Sequence, residues 1–571
     1  MILQALTQLY RDLVDRNEIA QDGWSPTKVS YALCLSETGA LENIVPQGEN
    51  DGKKNKLRPT QKCLPAPVKR SSGIKANFLW DNSQYLLGIA EEKDLERSQS
   101  CFRSSAELHH QLLKDVSTPT AKAILSFFDK WDPETAMKHP LIAGCPGDLL
   151  KGTNLIFRVN GIFAQEDPQI QEAWNKAYGK VEGEKQQCLI TGNFDIPEET
   201  HPAIKGVRDA QSSGANIVSF NAPAFCSYGK EKNFNAPIGK NEAFAYTAAL
   251  NHLLADQENV HQIGDATVVC WADGADPQYN FFSNFALFGD SLPETWTQSD
   301  LRSALSLLSQ GLPCEKGNLD PKRNFYILGL SPNAARISVR FFYRNSFGKL
   351  MKNVNDHYER LEIEGKRTEL LSPWGLLRET VNQNATNKTP NPVLSGAVAR
   401  SIFMGIPYPA ALLQGVMLRI RAEREITAGR AAILKAYYLK NPSEGCPKEV
   451  LTVSLNENST NIPYTLGRLF AVYEELQEKA NPGINATIKD KYFNAAAATP
   501  ATIFPILDNL SQKHLRKLEQ AFRVYFDRRI GELKEVLGEE YPVRTTLPEQ
   551  GSFNLGYYHQ KQQRYKKKEE K

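Results

Sequence analysis

Along the first ten residues the apolar side chains Ile2, Leu3, Leu6 and Leu9 recur at helical spacing, and Gly23 with Pro26 supplies a turn that closes this first unit. The spacing predicts a helix over residues 1–10. Residues 29–35 are short, rich in β-formers and bounded by turn residues, which predicts a strand. The stretch that follows, as far as Pro67, is polar, proline-bearing and rich in lysine, and predicts a mobile basic loop. Apolar runs at 154–159, 216–220, 266–271 and 324–328 predict further strands, alternating with helical patterns such as 242–254.

From about Pro392 the strand signals fade, and Leu412, Leu413, Val416 and Ile420 fall at helical spacing. Leu466, Leu469, Phe470, Tyr473 and Leu476 make one apolar stripe on a helix that Pro463 opens, and residues 503–537 repeat the pattern. The predicted fold class is α+β: a large mixed α/β body over 1–391, a helical connector over 392–449, an all-helical bundle over 450–556 and a charged tail over 557–571. Asn441, Pro442, Ser443 and Gly445 supply the linker before the bundle, and Lys566, Lys567 and Lys568 sit in a tail expected to be frayed and solvated.

Composition adds bounds to this picture. At 571 residues the chain exceeds one ordinary hydrophobic core, so two or more domains are expected. No apolar run is long enough to cross a bilayer and no cleavable leader opens the chain, so the expectation is a cytoplasmic protein with no membrane partner. The nine cysteines are scattered and never approach the CxxC spacing of zinc or redox sites, which predicts reduced thiols and no metal or other cofactor. Lys plus Arg, 68, against Asp plus Glu, 65, gives a net +3, so the distribution of charge must decide whether a polyanion binds.

That distribution is uneven. Residues 53–75 carry Lys53, Lys54, Lys56, Arg58, Lys62, Lys69, Arg70 and Lys75 with no acid among them. Such a window draws in phosphates with salt-sensitive affinity; a solvated lysine-rich loop is the alternative. It runs into Lys69, Arg70, Ser71, Ser72, Gly73, Lys75, Asn77, Phe78, Trp80 and Asn82, a mixture of cations, hydroxyls, glycine, amides and aromatics. Glycine lets backbone approach a ligand, Asn77 and Asn82 can donate and accept toward base edges, and Phe78 or Trp80 can wedge or stack, although taken alone Phe78, Leu79 and Trp80 favour a core role over a wedge.

Three further windows carry comparable chemistry. Ser213, Gly214, Asn216, Asn221, Ser227, Tyr228 and Lys230 predict a ligand-facing loop, or a polar loop covering a sheet. A phosphate-binding P-loop is excluded, because Phe234 stands where that motif needs its first glycine before Gly239 and Lys240. Alternation in 336–344 predicts Arg336, Arg340 and Arg344 on one strand face, with Ile337, Val339, Phe341 and Tyr343 on the other. Lys513, Arg516, Lys517 and Arg523 predict a basic helical face able to track a single strand. Catalytic templates fare poorly: His109 and His110 lack metal-helix spacing, no HExxH occurs, and Gly289-Asp290-Ser291 lacks the second glycine of a nucleophile elbow.

The blocks Met1 to Leu6, Gly23-Trp24-Ser25-Pro26, Val68 to Ile74 with Phe78 to Asn82, Ser213 to Asn221, Tyr326 to Asn333 and Leu466 to Val472 together resemble the type I-C CRISPR-associated Cascade large subunit, over effectively the full length. The resemblance implies a non-catalytic DNA-contacting subunit of a surveillance complex. Its implied partners are the CRISPR RNA, target double-stranded DNA with its displaced single strand, the backbone and guide-end subunits, and a recruited helicase-nuclease. Flanking-motif reading would fall to Lys69, Arg70, Ser71, Ser72, Gly73, Lys75, Asn77 and Asn82. The family also implies that the C-terminal helices resemble the small subunit, made from an internal start near Val450; no methionine follows Met417, so that start would be non-AUG. Two rival classes remain open at this level, a metal-dependent DNA nuclease assembled from distant carboxylates and a scaffold that binds only proteins.

Overall fold

A computed structural model describes residues 1–51, 56–68, 70, 73–90, 94–143, 147, 149, 152–178, 183–365, 373–382, 384–386 and 388–569. The chain forms two compact units, Met1–Pro202 with Val218–Ala249 and Ala203–Ile217 with Leu250–Lys571.

In the first unit the opening periodicity folds as α1 (Ile2–Asp15), which buries Leu6, Leu9 and Leu13 on one face. The expected strand at 29–35 belongs to two strands of different sheets, β1 (Trp24–Val29) and β2 (Tyr31–Leu35). The described residues between 36 and 67 are not the loop their polarity predicts. They form β3 (Leu41–Pro46), β4 (Gly48–Asp51) and β5 (Lys56–Pro65). β5 pairs antiparallel with both β1 and β4, and its Pro59, Thr60, Gln61 and Cys63 are exposed. A ribbon held by its backbone ladder and wet on one side needs few apolar residues, so hydropathy missed it.

β6 (Trp80–Asn82) and β7 (Asn154–Val159) complete a mixed sheet of order β3-β2-β7-β6, in which β2 and β7 run parallel. The short β8 (Ile162–Phe163) folds back on β7. Helices α2 (Ser83–Leu86), α3 (Leu95–Leu113), α4 (Pro119–Lys130), α5 (Pro140–Ala143) and α6 (Pro168–Tyr178) accompany it. Their core gathers Leu33, Phe78, Phe102, Phe127, Phe128, Leu155, Phe157 and Trp174. A two-stranded hairpin, β9 (Gln186–Gln187) with β10 (Phe194–Asp195), precedes α7 (Lys240–Ala255), within which the chain passes from the first unit to the second.

The second unit is built on the antiparallel sheet β11 (Val260–Ile263), β12 (Ala266–Ala272), β13 (Asn324–Asn333) and β14 (Arg336–Ser346), in sequence order. α8 (Pro277–Ser283) and α9 (Gln298–Ser309) lie between β12 and β13 in the chain, and α10 (Phe347–Leu361) and α11 (Pro373–Arg378) follow β14. The expected helical stretch then begins at α12 (Pro392–Met404) and continues through α13 (Ala410–Glu423), α14 (Ala428–Lys440), α15 (Ile462–Ala480), α16 (Ile488–Ala498), α17 (Pro500–Leu515), α18 (Gln520–Leu537) and α19 (Leu547–Glu569). An α+β fold with a helical C-terminal region is therefore what the chain adopts.

One contiguous core joins Phe325, Ile327 and Phe347 near the sheet to Leu412, Leu469, Phe470 and Phe553 in the helices. At the linker expected near 441–445, Asn441 is buried and exchanges two hydrogen bonds with the backbone of Tyr408, at 3.0 and 3.1 Å. α19 runs unbroken past residue 556, and Tyr557, Tyr558, His559 and Gln560 are buried. Where α15 crosses α19 the backbones nearly touch: a Cβ on Gly467 would lie 2.0 Å from the Phe553 carbonyl, and one on Gly556 would lie 2.0 Å from that of Tyr464. Only glycine permits such an approach.

The strand expected at 216–220 is absent. Ala215 bridges Ile204 and Asn216 bridges Arg336, and because the two partners lie in different segments no ladder propagates.

Candidate nucleic-acid interface

The mixed segment leaves β5 and ends in β6, and one carboxylate organises its middle. Asp81, on β6, is buried. Arg70 donates from Nη1 to Asp81 Oδ1 at 3.1 Å and from Nη2 to Oδ2, while its Nε donates to the Lys75 carbonyl at 2.7 Å. The backbone N–H groups of Asn77 and Asn82 each donate to the same carboxylate at 2.9 Å. Burial pushes the Asp81 carboxyl above its ordinary value, and the Arg70 ion pair with these two amides opposes that shift. The guanidinium also lies 4.1 Å from the centre of the Tyr85 ring.

The amides and aromatics of this segment are committed inward. Asn77 is buried and its Oδ1 accepts the Val68 N–H at 3.0 Å. Phe78 is buried, stacked on Trp174 at 5.4 Å and set 5.2 Å from the His109 ring. Asn82 caps α2, its Oδ1 accepting the Gln84 N–H at 3.1 Å. His109 is a core residue: its Nε2 accepts the Leu79 N–H at 2.9 Å, so Nδ1 carries the proton and donates to the Ser105 carbonyl at 2.7 Å. Burial pulls its pKa down to about 4. Among the described residues of the segment Gly73 and Lys75 are exposed, as is part of Arg70. Lys53, Lys54, Lys69, Ser71 and Ser72 lie outside the described residues.

The window 213–230 is divided between the two units. In the second, Ser213 is exposed, Gly214 leaves no room for a side chain beside Ala203 and Ile204, and the Asn216 carbonyl accepts the Ile337 N–H at 2.9 Å. In the first, Asn221, Ser227, Tyr228 and Lys230 are exposed. Ser227 to Lys230 make a tight turn in which the Lys230 N–H donates to the Ser227 carbonyl at 3.0 Å. The Asn235 side chain closes the loop, accepting the Ser227 N–H at 2.9 Å and donating to the carbonyls of Lys230 and Lys232 at 3.0 and 2.9 Å.

A bulge corrects the expected arginine face on β14. Val339 pairs with Leu330 and Phe341 with Gly329, leaving Arg340 as an extra residue. One extra residue inverts the alternation beyond it. Arg344 pairs with Tyr326, whereas Arg336 pairs with Asn333, whose parity is that of the core residues Phe325 and Ile327, so the two arginines point to opposite faces. Arg340 is ion-paired with Asp265.

In the helical region Lys513 lies in the last turn of α17, Arg516 and Lys517 follow its end, and Arg523 lies one turn into α18; all four are exposed. Lys517 donates to Asn481 Oδ1 at 2.8 Å, and Arg523 to the Leu518 carbonyl at 3.2 Å. Beside them Phe522 and Tyr525 are each 41% exposed and line a groove of about 550 Å³, with the Lys479 ammonium 4.2 Å from the centre of the Phe522 ring. Glu475 and Glu478 line the same groove and ion-pair with Arg564, so the rings stand among charges of both signs; exposed rings beside cations suit single-stranded nucleic acid. Among the described residues no group of three or more His, Cys, Asp or Glu is placed to hold a metal, and no helix is long and apolar enough to cross a membrane.

A family model described as CRISPR-associated protein (Cas_Csd1) matches residues 6–565. The chain belongs to this family. No curated protein matches it. Membership of the Csd1 family supports a CRISPR-associated subunit of a Cascade complex. The sequence of this Csd1-family chain marks Asn235 only as an amide beside the 213–230 window, and Asp81, Phe522 and Tyr525 were not among the expected site residues. A lone acid closing a basic window marks Asp81 as a counter-charge, and aromatics beside Arg523 mark the α18 groove.

Proposed function

We propose that this Csd1-family chain is the large subunit of a type I-C Cascade: it recognises the protospacer-adjacent motif in duplex DNA, promotes R-loop formation and stabilises the displaced strand. In RNA-guided systems the guide supplies sequence by base pairing while protein reads the flanking duplex. The observation that carries the reading is the Arg70–Asp81 brace, which ties Arg70 to β6 while Gly73 and Lys75 stay exposed. Lys75 and the lysines that precede it in the basic window are the DNA contacts, while Arg70 is committed to Asp81; Asn77 and Asn82 act through the shape they give the segment. The basic and aromatic surface of α17 and α18 holds the opened strand, as a single-strand track does.

The chain works with the CRISPR RNA, the backbone and guide-end subunits, and a helicase-nuclease that performs the cleavage. A short product starting near Val450 would carry α15 to α19, and mass spectrometry of the purified complex would contain it. The test of function compares complexes carrying Lys75→Ala with wild type on targets bearing correct or altered flanking motifs. Loss of roughly 1–3 kcal/mol of discrimination marks base readout; equal weakening on all targets marks phosphate contact. Unchanged binding on every target would remove the segment from the interface. DNA cleavage by the complex alone with magnesium or manganese would overturn the non-catalytic assignment.

A further inference from the structure

Tyr228 is 99% exposed, a ring standing in water with both faces open. It occupies the first central position of a turn in which it and Gly229 both have positive φ, 55° and 69°. Turns with two such residues favour Asn, Asp or Gly at these positions, because a bulky side chain is strained in the left-handed region. Here the strained residue is the most exposed aromatic among the described residues, and it contributes nothing to a core. Strain of this kind persists where surrounding bonds over-determine the backbone. The turn meets that condition: the Lys230 N–H closes on the Ser227 carbonyl, and Asn235 ties down Ser227, Lys230 and Lys232 with three bonds between 2.9 and 3.0 Å. Lys232, itself at φ 45°, is anchored further by an ion pair with Glu199.

The result is a rigid pedestal under one phenol. We infer that Tyr228 is a stacking platform for an unpaired nucleobase. The surroundings decide between nucleic acid and protein as the occupant. A protein hot spot sits in a desolvated pocket ringed by other contacts. The residues next to Tyr228 in the chain make no such ring: Ser227, Gly229, Lys230 and Glu231 are polar or small and all exposed, and Phe225, three residues back, is itself 40% exposed. A base needs only a π-face, and stacking tolerates any sequence. Charge is not the attraction, since Lys230 is offset by Glu231 and Lys232 by Glu199. Stacking therefore dominates this contact, unlike the basic segment near Lys75.

This inference rests on the reading of the chain as a nucleic-acid-binding subunit, and it adds the ligand class, an unpaired base, and the mode. The experiment uses the assembled complex on target DNA, with 2-aminopurine placed in turn along the displaced strand and the guide. Wild type should quench the fluorophore at one position through ring stacking. Tyr228→Ala should abolish that quenching and weaken binding of a strand carrying the base about 5- to 150-fold. Its slope of log affinity against log salt should not change, because no phosphate neutralisation is lost. Tyr228→Phe should behave as wild type. Tyr228→Asn, better suited to the turn, should match Tyr228→Ala in binding while melting no lower than wild type, which separates stacking from folding. Identical quenching and affinity in Tyr228→Ala and wild type would overturn the inference alone. Loss of a protein subunit from the Tyr228→Ala complex would overturn it in favour of a protein contact. A wild-type complex that binds no nucleic acid would overturn this and the broader reading together.

Discussion

Arg70 closes both branches of its guanidinium on the buried carboxylate of Asp81. The pair converts a cation of the basic window into a brace against β6. Removing one partner strands a charge in a site where Asp81 keeps only 2% of its side-chain exposure. Arg70→Ala should therefore lower unfolding free energy by on the order of 3 kcal/mol, read from urea denaturation. Arg70→Lys should recover little, because an ammonium cannot reproduce the two-pronged fork. Wild-type stability in Arg70→Ala would show that the brace does not organise the segment.

His109 makes the same segment sensitive to acid. Its folded pKa of about 4 lies below the ordinary 6.5, because burial disfavours the imidazolium. The unfolded chain thus binds the extra proton first as pH falls, and stability is lost progressively between about pH 6.5 and pH 4. At pH 5 this residue alone should cost about 2 kcal/mol relative to pH 7.5. Protonating Nε2 would also oppose the Leu79 N–H that it accepts. Urea midpoints across that pH range check the slope, and hydrogen exchange at the Leu79 amide should quicken with acid ahead of the amides of β11 to β14 in the second unit.

Gly467 and Gly556 set the crossing of α15 and α19. Alanine at either position would place a methyl 2.0 Å from a facing carbonyl, so the helices must separate. Each single substitution should destabilise the chain by at least about 1–3 kcal/mol, the usual cost of overpacking. The same substitutions should deplete any short product starting near Val450, since that product would consist of these helices. Thermal melts and the subunit composition of the purified complex test both expectations.

The basic turn between α17 and α18 makes a prediction through salt. Neutralising Lys513, Arg516 and Arg523 together should weaken single-strand binding and reduce the salt slope by about 0.7 for each cation that contacts a phosphate. These side chains are exposed, so the melting temperature should stay within a degree or two of wild type. An unchanged slope would place the displaced strand elsewhere.

Periodicity made much of the fold legible. α1, β7, β12 and the helices from Pro392 onward follow from apolar spacing because each buries one face or both. The ribbon of β4 and β5 was illegible because its strands are polar and held by backbone pairing. On β14 a single extra residue at Arg340 inverted a face that alternation alone makes continuous. The basic window was visible as charge, but its internal logic was not: the partners of Asn77, Phe78 and Leu79 lie at Val68, Trp174 and His109, and no local pattern announces them. Exposure of Tyr228 likewise depends on Asn235 folding back to close the turn.

The central claim is that this chain confers flanking-motif recognition on a guide-RNA complex. The direct measurement is the affinity of complexes assembled with and without the chain, around one guide, for target duplexes identical except in the flanking motif. The account predicts a preference for the correct motif, worth about 1–3 kcal/mol for each base read, that disappears when the chain is left out. A preference of equal size in the complex lacking the chain would contradict it.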